Sequence, residues 1–150
     1  MDEEIDGFEL GLGGRHNVSN AVVATAVAKE LGCTWDDLKE SIQSFTGIKR
    51  RFEIVAKKDK AVLIDDYAHH PSELKAAIAA VRELYPNKHL TAVFQPHLFS
   101  RTQDFVEGFA EELSKVDELI LTEIYPAREL PIEGVTSKII FDKVKLDKKN

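Results

Sequence analysis

A single cysteine, Cys33, is all the sequence contains. That excludes an internal disulfide and fits a reducing cytoplasm. With no metal-ligand company around it, the thiol reads as a small buried hydrophobe. Long apolar runs are missing too. None approaches the roughly 20 residues that a membrane-spanning helix needs, and the opening Met1-Asp2-Glu3-Glu4 is acidic where a secretory leader would be basic. Positive charge is scarce: 20 Lys and Arg face 26 Asp and Glu, for a net charge of −6. This balance disfavours nucleic acid as a partner, since non-specific binding depends on a positive field. The one dense basic run, Lys143 to Lys149, is broken by Asp147 and reads as a solvated tail. There is no internal repeat and no low-complexity segment. What is present, 150 residues with 43 % hydrophobic and 31 % charged, suits one ordinary domain or one domain plus a piece of another.

Along the chain the pattern changes once. Phe8-Glu9-Leu10 looks like a short strand before Gly11-Leu12-Gly13-Gly14. Asn17 to Leu31 is dense in Val and Ala with Gly32 just beyond, which predicts a buried helix with a glycine stop. Thr34-Trp35-Asp36-Asp37 offers a capping-box start for a second helix carrying Leu38, Ile42 and Phe45. After Gly47, Phe52–Val55 and Ala61–Ile64 predict two short strands around the turn Lys57-Lys58-Asp59-Lys60. Pro71 suits a first helical turn, with Leu74, Ala77, Ile78, Val81 and Leu84 on one face. A strand over Leu90–Phe94, a helical stripe from Phe105 to Leu113 and a strand over Leu119–Tyr125 complete the series. This alternation predicts an α/β domain with a parallel sheet covered on both faces. Ligands of such sheets bind beyond the carboxyl ends of the strands. Three polar loops fall there: Asp65 to Pro71, Gln95 to Arg101, and Pro126 to Glu129. A boundary near Gly47 separates this part from two helices with no sheet of their own.

Each polar cluster has a functional and a bland reading. Asp65-Asp66-Tyr67-Ala68-His69-His70-Pro71 packs two carboxylates, a phenol and two imidazoles into seven residues. A carboxylate at a strand end can accept from ribose hydroxyls, and an imidazole beside a helix start can donate to phosphate. The bland reading is a strand-to-helix turn with one carboxylate capping the helix, and the density of reactive groups favours function. A metal site is the weaker reading, because adjacent histidines point apart and no His-x-x-x-His or cysteine pair is present. A phospho-receiver domain fails too: its next strand should end in an aspartate, and here Gln95-Pro96-His97 follows. In Gln95 to Thr102, His97 and Arg101 flank a helix start with Ser100 or Thr102 as cap; an arginine there suits a carboxylate or phosphate. Gly11 to Asn20 is no P-loop, since no Lys-Ser or Lys-Thr follows the glycines. Asn17 and Asn20 lie one turn apart and match the edge of adenine, or Asn17 simply caps the helix. Lys49-Arg50-Arg51 is a solvated basic run or a phosphate contact.

Taken in order, these segments resemble the Mur ligase family, and within it the ligases that add alanine. The resemblance rests on Gly14-Arg15-His16-Asn17-Val18-Ser19-Asn20, Gly47-Ile48-Lys49-Arg50-Arg51-Phe52-Glu53, Asp65 to Pro71, Phe94 to His97 with Ser100-Arg101-Thr102, and Ile124 to Glu129. It runs from about Gly13 to Ser137. It implies a three-layer α/β/α Rossmann-like sheet over 47–150, the family's carboxyl-terminal domain. Residues 1–46 would be two helices from the end of its central ATP-binding domain. By the same resemblance His16, Asn17, Asn20, Arg51, Asp66 and His69 would bind ATP: the asparagines, with His16, at adenine, Asp66 at the ribose, Arg51 and His69 near the phosphates. Tyr67, His97 and Arg101 would face the incoming amino acid and the muramoyl carboxylate. The implied reaction, in a bacterial cytoplasm, joins L-alanine to UDP-N-acetylmuramate, with ATP activating the carboxylate as an acyl phosphate and Mg2+ bridging the phosphates. No protein-held metal is implied in this segment.

Two departures qualify the resemblance. Leu98-Phe99 stands where many alanine-adding ligases have Arg-Tyr. No Gly-Lys-Thr or Gly-Lys-Ser loop occurs, and the family's last strand is missing after Lys145. The expectation is a fragment that lacks the amino-terminal and most of the central domain, supplies one wall of a cleft, and does not ligate alone. A stand-alone nucleotide- or partner-binding module derived from such a ligase stays open beside it.

Overall fold

A computed structural model of the chain describes residues 6–146. The acidic start and the end of the basic tail lie outside the described residues. The chain divides after Tyr67 into two compact units. The first contains helices α1 (Arg15–Glu30) and α2 (Trp35–Ser44) and strands β1 (Glu53–Lys57) and β2 (Val62–Asp65). The second contains α3 (Pro71–Leu84), β3 (Thr91–Phe94), α4 (Phe99–Asp104), α5 (Val106–Leu113), β4 (Glu118–Leu121) and α6 (Lys138–Phe141).

In the first unit the capping box forms as the sequence predicts: the Thr34 hydroxyl accepts from the Asp37 amide at 3.2 Å, and the Thr34 amide donates back to the Asp37 carboxylate at 3.3 Å. Strands β1 and β2 pair antiparallel with a bulge between Ile54 and Ala56. Reciprocal bonds between Lys58 and Ala61 close the turn around Asp59 and Lys60. Three expectations fail here. Helix α1 buries no residue, and Val18, Val22, Val23 and Val27 are all more than half exposed. Its Val and Ala residues are spread around the helix rather than gathered in one stripe, so one neighbour cannot cover them. Phe8-Glu9-Leu10 forms no strand; Phe8 instead meets Trp35 edge-on at 6.3 Å. Cys33 is exposed rather than buried, because it sits in the surface turn between the two helices.

The second unit holds the apolar core. Strands β3 and β4 pair in parallel, Thr91 against Glu118 through Phe94 against Leu121, with α4 and α5 as the crossover between them. Leu74 and Ile78 of α3, Phe94, Phe109, Ala110 and Leu113, Val116 and Ile140 form one buried cluster. Ile140 belongs to α6, an element the sequence reading did not anticipate, and it is wholly buried. Alternation along the strands puts Ala92, Phe94, Leu119 and Leu121 on the core side. Val93 and Ile120 lie on the other face and are 70 % and 50 % exposed. The sequence predicts coverage on both faces, and the described residues of the second unit supply it on one face only. Strand β4 also ends at Leu121, short of the predicted Tyr125; beyond it only an isolated parallel bridge joins His97 and Tyr125. Arg82 locks the base of the sheet, donating to Asp117 at 2.9 Å and to the Lys115 carbonyl at 3.0 Å, while Asp117 also accepts the Leu90 amide at 2.8 Å.

Candidate functional site

Within the first unit, three of the predicted residues gather around Phe52. Its ring is buried and meets the His16 imidazole edge-on at 5.9 Å. Its amide donates to the Asp66 carboxylate at 2.8 Å. Arg51 is the preceding residue, in a turn where Arg50 and Phe52 both adopt positive φ (59° and 51°). Such backbone is uncommon for residues with a Cβ and marks a segment held by its surroundings. Here the holders are visible: the Tyr67 amide donates to the Arg50 carbonyl at 2.8 Å and Arg50's own amide donates to Glu53 at 2.8 Å. The Arg50 guanidinium also lies 4.8 Å from the centre of the Tyr67 ring. Asn17 is no N-cap. Helix α1 starts at Arg15 after Gly14 without a side-chain cap, and the Asn17 amide group donates back to the Gly13 carbonyl at 2.8 Å. Asn20 lies one turn further along the same helix and is exposed. Phe52 is the residue that sequence reasoning missed; a lone aromatic between basic and acidic neighbours gave no signal of its hub position.

Within the second unit, segments 68–70, 95–101 and 125–129 come together. The His69 and His97 rings lie 6.2 Å apart, and an Arg101 guanidinium nitrogen is 3.3 Å from His97 Nδ1. Guanidinium only donates, so this contact uses the Nδ1 lone pair and favours neutral His97 protonated on Nε2. His69 pairs with Glu73 at 3.2 Å. His70 is the N-cap of α3, completing a capping box with Glu73, so the cap is an imidazole rather than the carboxylate of the bland reading. Neither Ser100 nor Thr102 caps α4 as the sequence suggests. The N-cap position is Leu98, at φ 71° and ψ 138°, with no side-chain cap. Thr102 is fully buried and its hydroxyl donates to the Leu98 carbonyl at 2.7 Å. Tyr125, whose ring stacks on His97 at 5.5 Å, and Glu129, which accepts from Ser100, were not among the predicted site residues. Their place in the third polar loop was the available signal. Among the described residues no group of three or more His, Cys, Asp or Glu could hold a metal ion.

Burial, first, and then the charges of Arg101 and His69 hold His97 below the ordinary imidazole value of 6.5, with Glu129 pulling the other way. The unfolded chain therefore binds a proton on this ring at higher pH than the folded chain. This contribution lowers stability as pH falls through about 6.5 and levels off once the folded ring also protonates. Urea unfolding at pH 7.5 and 5.5 should show the loss, and His97→Gln should make it smaller. An identical pH dependence in the variant would remove His97 from the account.

Residues 50–150 match the family described as Mur ligase, glutamate ligase domain, and the chain belongs to the Mur ligase family. Among its relatives, the UDP-N-acetylmuramate–L-alanine ligase of Flavobacterium johnsoniae is 56 % identical over 91 % of the chain. That of Porphyromonas gingivalis is 55 % identical over 93 %. The crystal structure of the UDP-N-acetylmuramate–alanine ligase of Thermotoga maritima matches 91 % of the chain with a TM-score of 0.73 at 30 % identity. A pseudomurein peptide ligase type C from Methanothermus fervidus matches 76 % with a TM-score of 0.64 at 30 % identity. The chain spans 30 % of the length of the first two relatives and 28 % and 22 % of the two structures. The α/β class expected from the sequence is the class of these relatives. Among the described residues, no helix is long and apolar enough to cross a membrane.

Proposed function

We propose that this chain is the carboxyl-terminal part of an ATP-dependent ligase that joins L-alanine to UDP-N-acetylmuramate in the bacterial cytoplasm. The observation that carries the reading is the identity above 50 % over nine-tenths of the chain to ligases of that name. Residues 1–46 are then the end of the central ATP-binding domain and 47–150 the carboxyl-terminal domain. The missing partners are the amino-terminal and central domains, so the chain alone does not ligate. Neither nucleic acid nor a membrane enters this reading.

The residues present fit a nucleotide. His16, Arg51 and Asp66 are gathered through Phe52, and Asn17 and Asn20 follow on α1. An amide-rich helix start for adenine, a carboxylate for ribose hydroxyls and a guanidinium for phosphate are the right donor and acceptor types. In the second unit, His69 is by the family resemblance a further phosphate donor. ATP with Mg2+, when bound, would supply the phosphoryl group that activates the substrate carboxylate. Tyr67, His97 and Arg101 bind and orient the substrates. Arg101 offers a carboxylate two parallel N–H donors, and neutral His97, its Nδ1 taken by Arg101, can donate through Nε2 to a substrate oxygen.

The test is a chimera of the Flavobacterium johnsoniae ligase carrying Gly13–Ser137 of this chain in place of its own segment. Phosphate release should require both UDP-N-acetylmuramate and L-alanine. A folded chimera that prefers another amino acid would sink the reading. Arg101→Ala in this chimera should raise the KM for L-alanine or UDP-N-acetylmuramate about 10- to 100-fold, the loss of one or two charge-assisted hydrogen bonds. Unchanged constants for both substrates would remove Arg101 from the cleft.

A further inference from the structure

Helix α4 has a defect at its start. Its N-cap residue is Leu98, which has no side-chain acceptor, and whose backbone at φ 71° and ψ 138° lies in a region that is strained for residues with a Cβ. His97 precedes this point and Arg101 follows it by three residues. Something outside the segment must hold it.

The turn 125–129 does so at two points. At one end the backbone of Tyr125 continues the parallel ladder: its amide donates to the Pro96 carbonyl at 2.8 Å, and its carbonyl accepts from the Leu98 amide at 2.9 Å. The Tyr125 ring lies on the His97 ring, 5.5 Å between centres and 25° between planes. At the other end the Glu129 carboxylate accepts from the Ser100 amide at 3.0 Å and from the Ser100 hydroxyl at 2.5 Å. Ser100 is the second residue of α4, so its amide is among those a helix leaves without an internal partner. Glu129 supplies from 29 residues away the cap that Leu98 cannot. Between the two points the Glu129 amide closes a turn on the Pro126 carbonyl at 2.9 Å, with Ala127 at φ 50°.

We propose that Tyr125 and Glu129 are positioning residues, a two-point brace that fixes His97 and Arg101 for substrate. The inference rests on the reading that His97 and Arg101 face substrate, and it adds what sets their geometry. Ser100 binding and the Arg101 charge keep the Glu129 carboxyl below its ordinary value, so the brace is charged at neutral pH.

Two measurements separate the brace from the functional reading. The first is NMR of the histidine rings in this chain across pH. Glu129→Ala should shift the His97 ring resonances and lower its titration midpoint, by removing the nearby negative charge. Glu129→Gln should lower the midpoint but leave the high-pH ring shifts near those of the parent, because its carbonyl still accepts from Ser100. Resonances of Phe109 and Leu113 report that both variants remain folded. Tyr125→Leu should abolish the ring-current contribution at His97. If His97 in Glu129→Ala matches the parent in shifts and midpoint, the brace is overturned. The second is kinetics in the chimera: Glu129→Ala should raise the substrate KM about tenfold with a smaller change in kcat, and Glu129→Gln should restore most of it. Moved His97 resonances with unmoved KM would support the brace and overturn the assignment of His97 and Arg101 to substrate. A lowered melting temperature in both variants, with His97 shifts and KM unchanged, would reduce Glu129 to a structural cap.

Discussion

Replacing Phe109 by alanine should lower the unfolding free energy by about 3–5 kcal/mol. The ring is 1 % exposed and packs on Phe94 at 5.4 Å between centres with a 44° tilt. It touches helix α5 to strand β3 at the centre of a cluster that also contains Leu74, Ile78, Leu113 and Ile140. Truncation removes the transfer free energy of a phenyl ring and leaves a cavity whose walls come from several elements, so collapse is hard. Val93→Ala is the matched control. Its side chain is 70 % exposed, and the change should stay within about 0.5 kcal/mol. Urea unfolding of the two variants, compared at constant slope, checks both. A cost at Val93 as large as that expected at Phe109 would mean that β3 buries the opposite face from the one described.

Gly108→Ala tests a tighter contact. A Cβ at this position would lie 2.9 Å from Cγ and 3.0 Å from Cβ of Pro71. In a helix interior the exchange by itself should stabilise by roughly 0.5–1 kcal/mol. The clash opposes it at about 1–3 kcal/mol, and it should win because the pyrrolidine ring cannot swing aside. Pro71 opens α3 directly after His69 and His70, so relief by moving the helix start carries the histidines with it. The expected result is net destabilisation together with displaced His69 and His97 resonances. A variant more stable than the parent would show that α3 and α5 pack less closely than described.

Local chemistry made much of this legible. Thr34 with Asp37, and Pro71 as a first helical residue, announce their helices because the groups concerned are neighbours in the chain. The hairpin around Asp59 and Lys60 and the stripe from Val106 to Leu113 follow from periodicity alone, whereas Phe105, counted in that stripe, is an exposed residue between α4 and α5. The polar loops after β3 and β4 were located by counting strands, and their residues do meet. What escaped depends on partners distant in sequence. Nothing near Leu98 says that a carboxylate 29 residues on will cap α4. Ser100 and Thr102 looked like caps because hydroxyls often are, yet one bonds Glu129 and the other the Leu98 carbonyl. Helix α6 is short, and its Ile140 is buried by tertiary contact rather than by pattern. The apolar α1 misled in the opposite direction: composition predicted burial, yet its valines stand more than half exposed because they are spread around the helix.

The exposed thiol of Cys33 has a practical consequence. With one cysteine in the chain and that one on the surface between α1 and α2, a maleimide dye or nitroxide should attach with a stoichiometry of one without prior mutagenesis. Nucleotide or domain docking near the amino-terminal helices could then be followed as a change in emission or spin mobility, on the unaltered sequence.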